Sequence, residues 1–159
     1  MNRMRKVLIA DDEVKVGQLV KRLIQWDRLG LTCIGLVTDG QTAYEKILSE
    51  SPDIVITDIR MPVLTGLEMI QKASEQGVKC HFIVVSGYKY FDYAQKALKY
   101  GVEDYLLKPI DEDELNRQLQ KIVAEEEQRE DKQQQVDQIE KKLEDRSLDF
   151  SLRTSASGD

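Results

Sequence analysis

The sequence predicts an α/β fold, a doubly wound parallel sheet of five strands covered by helices on both faces. The first observation is alternation: five short strand-like segments, most of them apolar runs, are separated by stretches whose apolar residues recur every three or four positions. The second is the run 54–56, which is apolar and β-branched throughout, as in a strand buried on both faces. The third is that charged or hydroxyl residues stand where these runs end.

Each predicted element follows from its own local pattern. The strands are predicted at 6–10, 31–37, 53–58, 82–86 and 102–107. Apolar stripes predict helices around 16–24, 43–48, 67–73, 91–98 and 115–123. The first helix is expected to end between Asp27 and Gly30, and Asp111 with Glu114 forms a predicted capping box at the last helix.

Charged or hydroxyl residues stand at the carboxyl ends of four of the five predicted strands. They are Asp11, Asp12, Asp58, Ser86 and Lys108. Because right-handed crossovers bring the carboxyl ends of parallel strands to one edge, these residues are expected to form one cluster in space. Open α/β sheets bind their ligands at that edge. Asp58, between a buried strand and the loop marked by Pro62 and Gly66, is the expected working residue.

The composition of this cluster predicts phosphoryl chemistry. Carboxylates held together repel unless a cation compensates, and an oxygen-only ligand set selects a hard cation such as Mg²⁺. Lys108 supplies a mobile positive charge, and Ser86 supplies a hydrogen-bond donor. An aspartate is a competent phosphoryl acceptor in such surroundings, so we expect an acyl phosphate on Asp58.

Composition and charge exclude several other classes of protein. The net charge is −6 in 159 residues, and residues 124–159 contribute most of it, so no basic face for nucleic acid is predicted. No apolar run is long enough to span a membrane, and we expect a cytoplasmic protein. Cys33 and Cys80 are far apart without a CxxC pair, which favours free thiols.

Two other classes of protein with the same fold are excluded by the residues found at their characteristic motifs. A dinucleotide-binding domain needs a glycine-rich turn after its first strand, where this chain has Asp11, Asp12 and Glu13. A phosphohydrolase with an aspartyl nucleophile carries a second aspartate two residues later, where this chain has Arg60.

From about Lys6 to Val123 the chain resembles the receiver domain of two-component response regulators. The motifs that carry the resemblance are Asp11-Asp12, Asp58 with Met61-Pro62 and Gly66, Ser86-Gly87, and Lys108-Pro109. The resemblance implies a flavodoxin-like sheet in the order 2-1-3-4-5. It also implies a protein that catalyses its own modification and is not a turnover enzyme.

The resemblance implies a role for each matching residue. Asp58 is the implied phosphoacceptor, and Lys108 pairs with the phosphate. Asp12, Asp58 and the backbone carbonyl of Arg60 are the implied Mg²⁺ ligands, with Asp11 acting through water. Ser86 and Tyr105 are the implied switch pair. The bond between Lys108 and Pro109 is expected to be cis.

Two residues depart from the family pattern in size. Arg60 and Tyr88, two positions past Asp58 and Ser86, are bulkier than the groups the family often has there. We predict that they crowd the attacking water and make the phosphorylated state long-lived. Three sequence segments, at 26–31, 86–91 and 105–110, are similar to the corresponding segments of receivers in regulators that end in an AraC-type DNA-binding domain.

The predicted organisation is a receiver domain at 1–123, a helical linker at 124–146 and a disordered tail at 147–159. Residues after Val123 are too few and too polar for two helix-turn-helix units, so no DNA contact is expected from this chain itself. Val136, Ile139 and Leu143 have coiled-coil spacing, which leaves a weak two-stranded coiled coil and a solvated helix both open.

The sequence thus predicts a phosphorylation-controlled switch that takes a phosphoryl group from a histidine kinase in a Mg²⁺-dependent reaction. A homodimer on activation is expected. The alternative is a degenerate receiver that acts as a dimerisation module without phosphorylation. The acidic pair, Asp58 and Lys108 argue against that alternative.

Overall fold

A computed structural model describes residues 3–87 and 102–157, with the backbone alone at 103, 104 and 148–157. The chain divides into two units, Met1–Gln120 and Lys121–Asp159. The first unit contains a five-stranded parallel sheet. Its strands are β1 (Arg5–Ala10), β2 (Leu31–Val37), β3 (Ile54–Thr57), β4 (His81–Ser86) and β5 (Val102–Leu107).

The strand order is β2-β1-β3-β4-β5, and each neighbouring pair is parallel. The predicted fold class and strand order are therefore confirmed. The central strand β3 is buried at every position, as its unbroken apolar run predicts.

Helices follow the strands in the described part of the chain. They are α1 (Val14–Leu23), α2 (Trp26–Leu29), α3 (Gly40–Glu50), α4 (Gly66–Glu75) and α5 (Glu112–Ser157). Asp39 caps α3 by accepting from the amide of Thr42, and Thr65 caps α4 in a capping box with Glu68. The predicted helix around 91–98 lies outside the described residues.

The first predicted helix is broken in the structure. α1 ends at Leu23, and the four-residue α2 follows before Gly30 ends it in a left-handed conformation. The cause lies far along the chain, because the buried Asn116 accepts from the amide of Gln25 and donates to the carbonyl of Leu23. These contacts satisfy the backbone groups that the break exposes.

The described residues of the second unit belong to α5, which is helical through residues 147–157, where we predicted a disordered tail. The stretch contains no glycine or proline before Gly158, so nothing in it ends a helix. Val136, Ile139 and Leu143 are exposed along α5. Among the described residues, no helix has the length and apolarity needed to cross a bilayer.

The core of the first unit lies on a face of the sheet against α3 and α4. It brings β-strand residues together with one stripe from each of these helices: Leu8, Val55, Val84, Ala43, Ile47, Met69, Ile70 and Ala73. These residues are all fully buried, which fixes the strands in register. The register in turn decides which side chains meet at the carboxyl edge of the sheet.

Candidate functional site

The register of β1 and β3 brings two predicted site residues together. Ala10 pairs with Thr57, so Asp11 and Asp58 both follow immediately after the paired positions. The amide of Asp58 donates to the carbonyl of Ala10 at 2.9 Å, and that of Asp11 donates to Val37 at 3.0 Å. Both aspartates are buried. The two carboxylates are therefore held by backbone pairing at the carboxyl edge of the sheet.

Lys108 reaches both carboxylates from the end of β5. Its amide donates to the carbonyl of Ser86 at 2.9 Å, which fixes the start of its side chain beside β4. Its Nζ lies 3.1 Å from Oδ2 of Asp11 and 3.1 Å from Oδ2 of Asp58. The peptide bond between Lys108 and Pro109 is cis. One ammonium is thus shared by two carboxylates.

Backbone amides distinguish the two oxygens of each carboxylate. Oδ1 of Asp58 accepts from the amide of Ile59 at 2.7 Å, and Oδ1 of Asp11 accepts from the amide of Glu13 at 2.9 Å. In both residues the other oxygen, Oδ2, faces Lys108. The backbone therefore orients both side chains toward the same cation.

The electrostatics of this group follow from burial and shared charge. Burial raises the pKa of the Asp11 carboxyl above its ordinary value, and the charge of Asp58 acts in the same direction. Burial lowers the pKa of Lys108, but its hydrogen bonds to Asp58 and Asp11 outweigh burial and raise it above its ordinary value. Lys108 therefore stays charged.

Asp12 completes a cluster of three carboxylates. Ligand atoms of Asp11, Asp12 and Asp58 all lie within 4.8 Å of one another, and Asp12 is exposed while the other two are buried. The three residues offer only oxygen donors, and three negative charges exceed the single positive charge of Lys108. This donor set fits a hard divalent cation such as Mg²⁺.

A cavity of about 350 Å³ opens beside this cluster. Its lining is mostly polar and includes residues from four strand ends: Asp12, Glu13, Asp58, Arg60, Ser86, Gly87 and Lys108. The predicted site residues at 58, 60, 86 and 108 thus share one cavity. Its size accommodates a phosphoryl group together with water.

Ser86 and Tyr105 lie next to each other on β4 and β5. The Ser86 hydroxyl is fully buried and makes no well-formed hydrogen bond. The half-buried Tyr105 donates its hydroxyl to the carbonyl of Gly87 at 3.0 Å. Burial raises the pKa of Tyr105, so its phenol keeps its proton at neutral pH. Ser86 is therefore a buried hydroxyl that lines the cavity and makes only a weak contact with the Tyr105 hydroxyl.

Thr57 and Glu13 were not among the predicted site residues. The fully buried Thr57 donates its hydroxyl to the backbone carbonyl of Asp58 at 2.8 Å. Glu13 lines the cavity and donates its amide to Asp11. A single sequence carries no signal for either contact, since both depend on local backbone geometry.

Tyr88, which is predicted to crowd the attacking water, lies outside the described residues. Arg60 is exposed and lines the cavity, whereas the ligand role of its backbone carbonyl stays a prediction.

Comparisons with known proteins all point to one protein family. A family model described as the response regulator receiver domain matches residues 7–120. The uncharacterized transcriptional regulatory protein YesN of Bacillus subtilis is 46% identical over 122 residues, which cover 77% of this chain and 33% of YesN. The transcriptional regulatory protein HptR of Staphylococcus aureus is 35% identical, over 76% of this chain and 47% of HptR.

A solved structure extends this similarity to the fold. The REC domain of AraT, a response regulator from Geobacillus stearothermophilus, superposes with a TM-score of 0.76 and 36% identity. The match covers 80% of this chain and 98% of that domain. The chain spans between a third and a half of the length of the curated relatives YesN and HptR.

Proposed function

The chain belongs to the response regulator receiver family, and from that premise we propose that Asp58 accepts a phosphoryl group from a histidine kinase. Oδ2 of Asp58 attacks phosphorus, and the bond from phosphorus to the imidazole nitrogen of the kinase breaks. The nitrogen keeps the bonding electron pair, so an acyl phosphate forms while the histidine is regenerated.

One observation carries this proposal. Lys108 Nζ lies 3.1 Å from Oδ2 of both Asp11 and Asp58, at the edge of the cavity. An ammonium in this place neutralises charge as it develops on the transferring oxygens, and it already touches the oxygen that forms the new bond. Lys108 also offsets the repulsion between the two carboxylates before transfer.

The acidic cluster is the proposed Mg²⁺ site. Asp12, Asp58 and the backbone carbonyl of Arg60 would hold the ion directly, and Asp11 would hold it through water. When bound, Mg²⁺ neutralises the phosphoryl oxygens and helps to align the donor. Asp11, Asp12 and Asp58 fit this role because they present carboxylate oxygens within 4.8 Å of one another, and these three residues offer only oxygen ligands.

We propose that the switch begins at the buried hydroxyl of Ser86, which makes no well-formed hydrogen bond. A phosphoryl group on Asp58 offers that buried donor an acceptor, and Ser86 moves toward it. The Tyr105 ring, which now holds the carbonyl of Gly87, then turns inward behind Ser86. A local change of charge thereby alters a surface formed by the end of β5.

We propose that the output of this switch is dimerisation and, in the whole protein, regulation of transcription. YesN and HptR are transcriptional regulatory proteins by name, which supports an output domain that binds DNA. In this chain, the exposed row of Val136, Ile139 and Leu143 supports a homodimer through α5. The chain itself is proposed to make no DNA contact and to act in the cytoplasm.

The test is the intact mass after incubation with acetyl phosphate and Mg²⁺, with sizing on the same samples. The wild type is expected to gain one phosphoryl group, and Asp58→Asn and a metal-free sample are expected to gain none. Asp27→Asn, which replaces an exposed aspartate of α2, is the matched control and should behave as wild type.

The sizing result separates the two candidate functions. A shift to dimer that accompanies phosphorylation supports the switch. If the wild type gains no mass and is dimeric throughout, the phosphoacceptor role is wrong and the chain acts as a dimerisation module.

A further inference from the structure

One peptide unit, between Asp58 and Ile59, is held from three sides. Thr57 donates its hydroxyl to the carbonyl oxygen of this peptide at 2.8 Å. The amide at its other end donates to Oδ1 of Asp58 at 2.7 Å. Gly66 approaches so closely that a Cβ there would lie 2.0 Å from the same carbonyl oxygen. The orientation of this peptide is therefore fixed by its neighbours.

The fixed peptide decides how the two oxygens of Asp58 are used. Since the amide of Ile59 occupies Oδ1, Oδ2 is the oxygen that faces Lys108. If the peptide rotated, the amide would leave Oδ1 and the carboxylate would be free to turn about its own χ angles. Reaction with a phosphoryl donor requires one oxygen to be aligned with phosphorus.

We propose that Thr57 is a positioning residue that fixes the Asp58–Ile59 peptide and so selects Oδ2 of Asp58 as the oxygen that attacks phosphorus. The proposal rests on the proposed function for its kinetic consequence. Thr57 touches no reacting atom. It acts through one hydrogen bond to the backbone, and Gly66 supports it by leaving space for the peptide.

The location of Thr57 favours this role over simple packing. Its side chain is fully buried at the last position of β3, where an apolar residue would extend the unbroken apolar run. A buried hydroxyl is costly unless it has a partner, and the partner here is the backbone of the phosphoacceptor itself. Valine would fill nearly the same space without that hydrogen bond.

The kinetic test compares Thr57→Val with Thr57→Ser, which keeps the hydroxyl. We expect Thr57→Val to lower the rate of phosphorylation by acetyl phosphate about tenfold, since a misplacement of 1 Å can cost about 100-fold. Thr57→Ser should restore most of the rate. Thr32→Val, on β2, removes a hydroxyl from another strand and should leave the rate unchanged.

The spectroscopic test needs no phosphorylation. The amide proton of Ile59 should resonate far downfield in the wild type and in Thr57→Ser, and move upfield in Thr57→Val. In the wild type, the Thr57 hydroxyl proton should be protected from exchange with water, which tests the contact even if Thr57→Val fails to fold.

Two outcomes would overturn the positioning role. One is a folded Thr57→Val variant with the wild-type rate and an unmoved Ile59 amide, and the other is a Thr57 hydroxyl proton in rapid exchange. If the wild type takes no phosphoryl group, the proposed function fails, and the spectra alone then decide the placement of the peptide.

Discussion

Two aspartates flank β3, and they differ in how their charge is satisfied. Asp53, at the amino edge of the sheet, is paired with Arg3 through both carboxylate oxygens and accepts the amide of Lys6 at 2.7 Å. Asp58, at the carboxyl edge, shares Lys108 with Asp11 and faces a cavity. Asp53 has a cation of its own, whereas Asp58, the proposed phosphoacceptor, shares one cation with Asp11. The carboxyl edge therefore keeps uncompensated negative charge, which suits the proposed metal site.

Loss of the shared cation should have the largest effect. Lys108→Gln is expected to lower the rate of phosphorylation of Asp58 by about 100-fold or more, as when an oxyanion-stabilising donor is removed. The measurement is the initial rate of mass gain with acetyl phosphate and Mg²⁺. Arg3→Gln, which removes the cation at the other edge, should keep the wild-type rate. Similar rates for both variants would remove the distinction between the edges.

Mg²⁺ should stabilise only through the carboxyl edge. At a concentration of about 100 times its Kd, the ion should raise the free energy of unfolding of the wild type by about 2.7 kcal/mol. The Asp12→Asn variant should lose this Mg²⁺-dependent increase in the free energy of unfolding. The Asp53→Asn variant should keep the increase, although it should be less stable than the wild type without Mg²⁺. Urea unfolding with and without Mg²⁺ measures both, and an equal gain in Asp12→Asn would place the ion elsewhere.

Arg60 should protect the phosphorylated state. We expect Arg60→Ala to shorten its half-life about tenfold, equivalent to about 1.4 kcal/mol in the barrier, because water gains access to the cavity that Arg60 lines. Decay of the added mass after removal of acetyl phosphate measures the half-life. Arg22→Ala, on the exposed side of α1, is the control. A wild-type half-life of only seconds would contradict the protective role.

Asp11 should make the carboxyl edge less stable as pH rises. Burial raises the pKa of the Asp11 carboxyl in the folded state above its ordinary value of 3.8. At a pH between 3.8 and the raised pKa, the folded state therefore binds more protons than the unfolded state. Stability therefore falls as pH rises through this interval. Asp11→Asn should remove this fall and raise the free energy of unfolding at pH 7 by roughly 1 kcal/mol.

The measurement is urea unfolding across pH in metal-free buffer. Asp39 offers the opposite sign, since the hydrogen bonds from the backbone and hydroxyl of Thr42 lower its pKa. The contribution of Asp39 to folding stability is fully present above pH 3.8 and is lost as the pH falls through its lowered pKa. A wild-type profile that does not change on Asp11→Asn would refute the burial argument.

The amino edge should show the smallest effect. Arg3 is 54% exposed on its side chain, so Arg3→Gln should cost less than about 1 kcal/mol, and less still at high salt. Chemical unfolding at low and high salt measures this. A larger loss, insensitive to salt, would mean that the pair with Asp53 is shielded from solvent.

The sequence predicted the strands, the edge at which they end and the residues that meet there. The pattern of the sequence was sufficient for the strands because β1, β2, β3 and β4 are mainly apolar runs between polar boundaries, and β2 at Leu31–Val37 agrees at both ends. The resemblance to receivers of response regulators is confirmed by the family match to residues 7–120. The type of output domain and the roles of the site residues stay predictions.

What the sequence did not predict depends on contacts between distant or irregular backbone segments. The break after α1 depends on Asn116, 91 residues from Gln25. Val63 adopts a positive φ of 70° in a tight turn, in which the amide of Leu64 donates to the carbonyl of Pro62. This conformation is unfavourable for a β-branched residue such as valine. Neither feature leaves a pattern in hydrophobicity or spacing.

The parallel register has a consequence for insertions and deletions. Ala10 pairs with Thr57, and the next residue of each strand is an aspartate of the cluster. Successive residues of a strand point to opposite faces, so one residue added within β3 would turn Asp58 away from Lys108. A change in strand length would therefore remove the carboxylate from the site as completely as a substitution, although every amino acid of the motif would still be present.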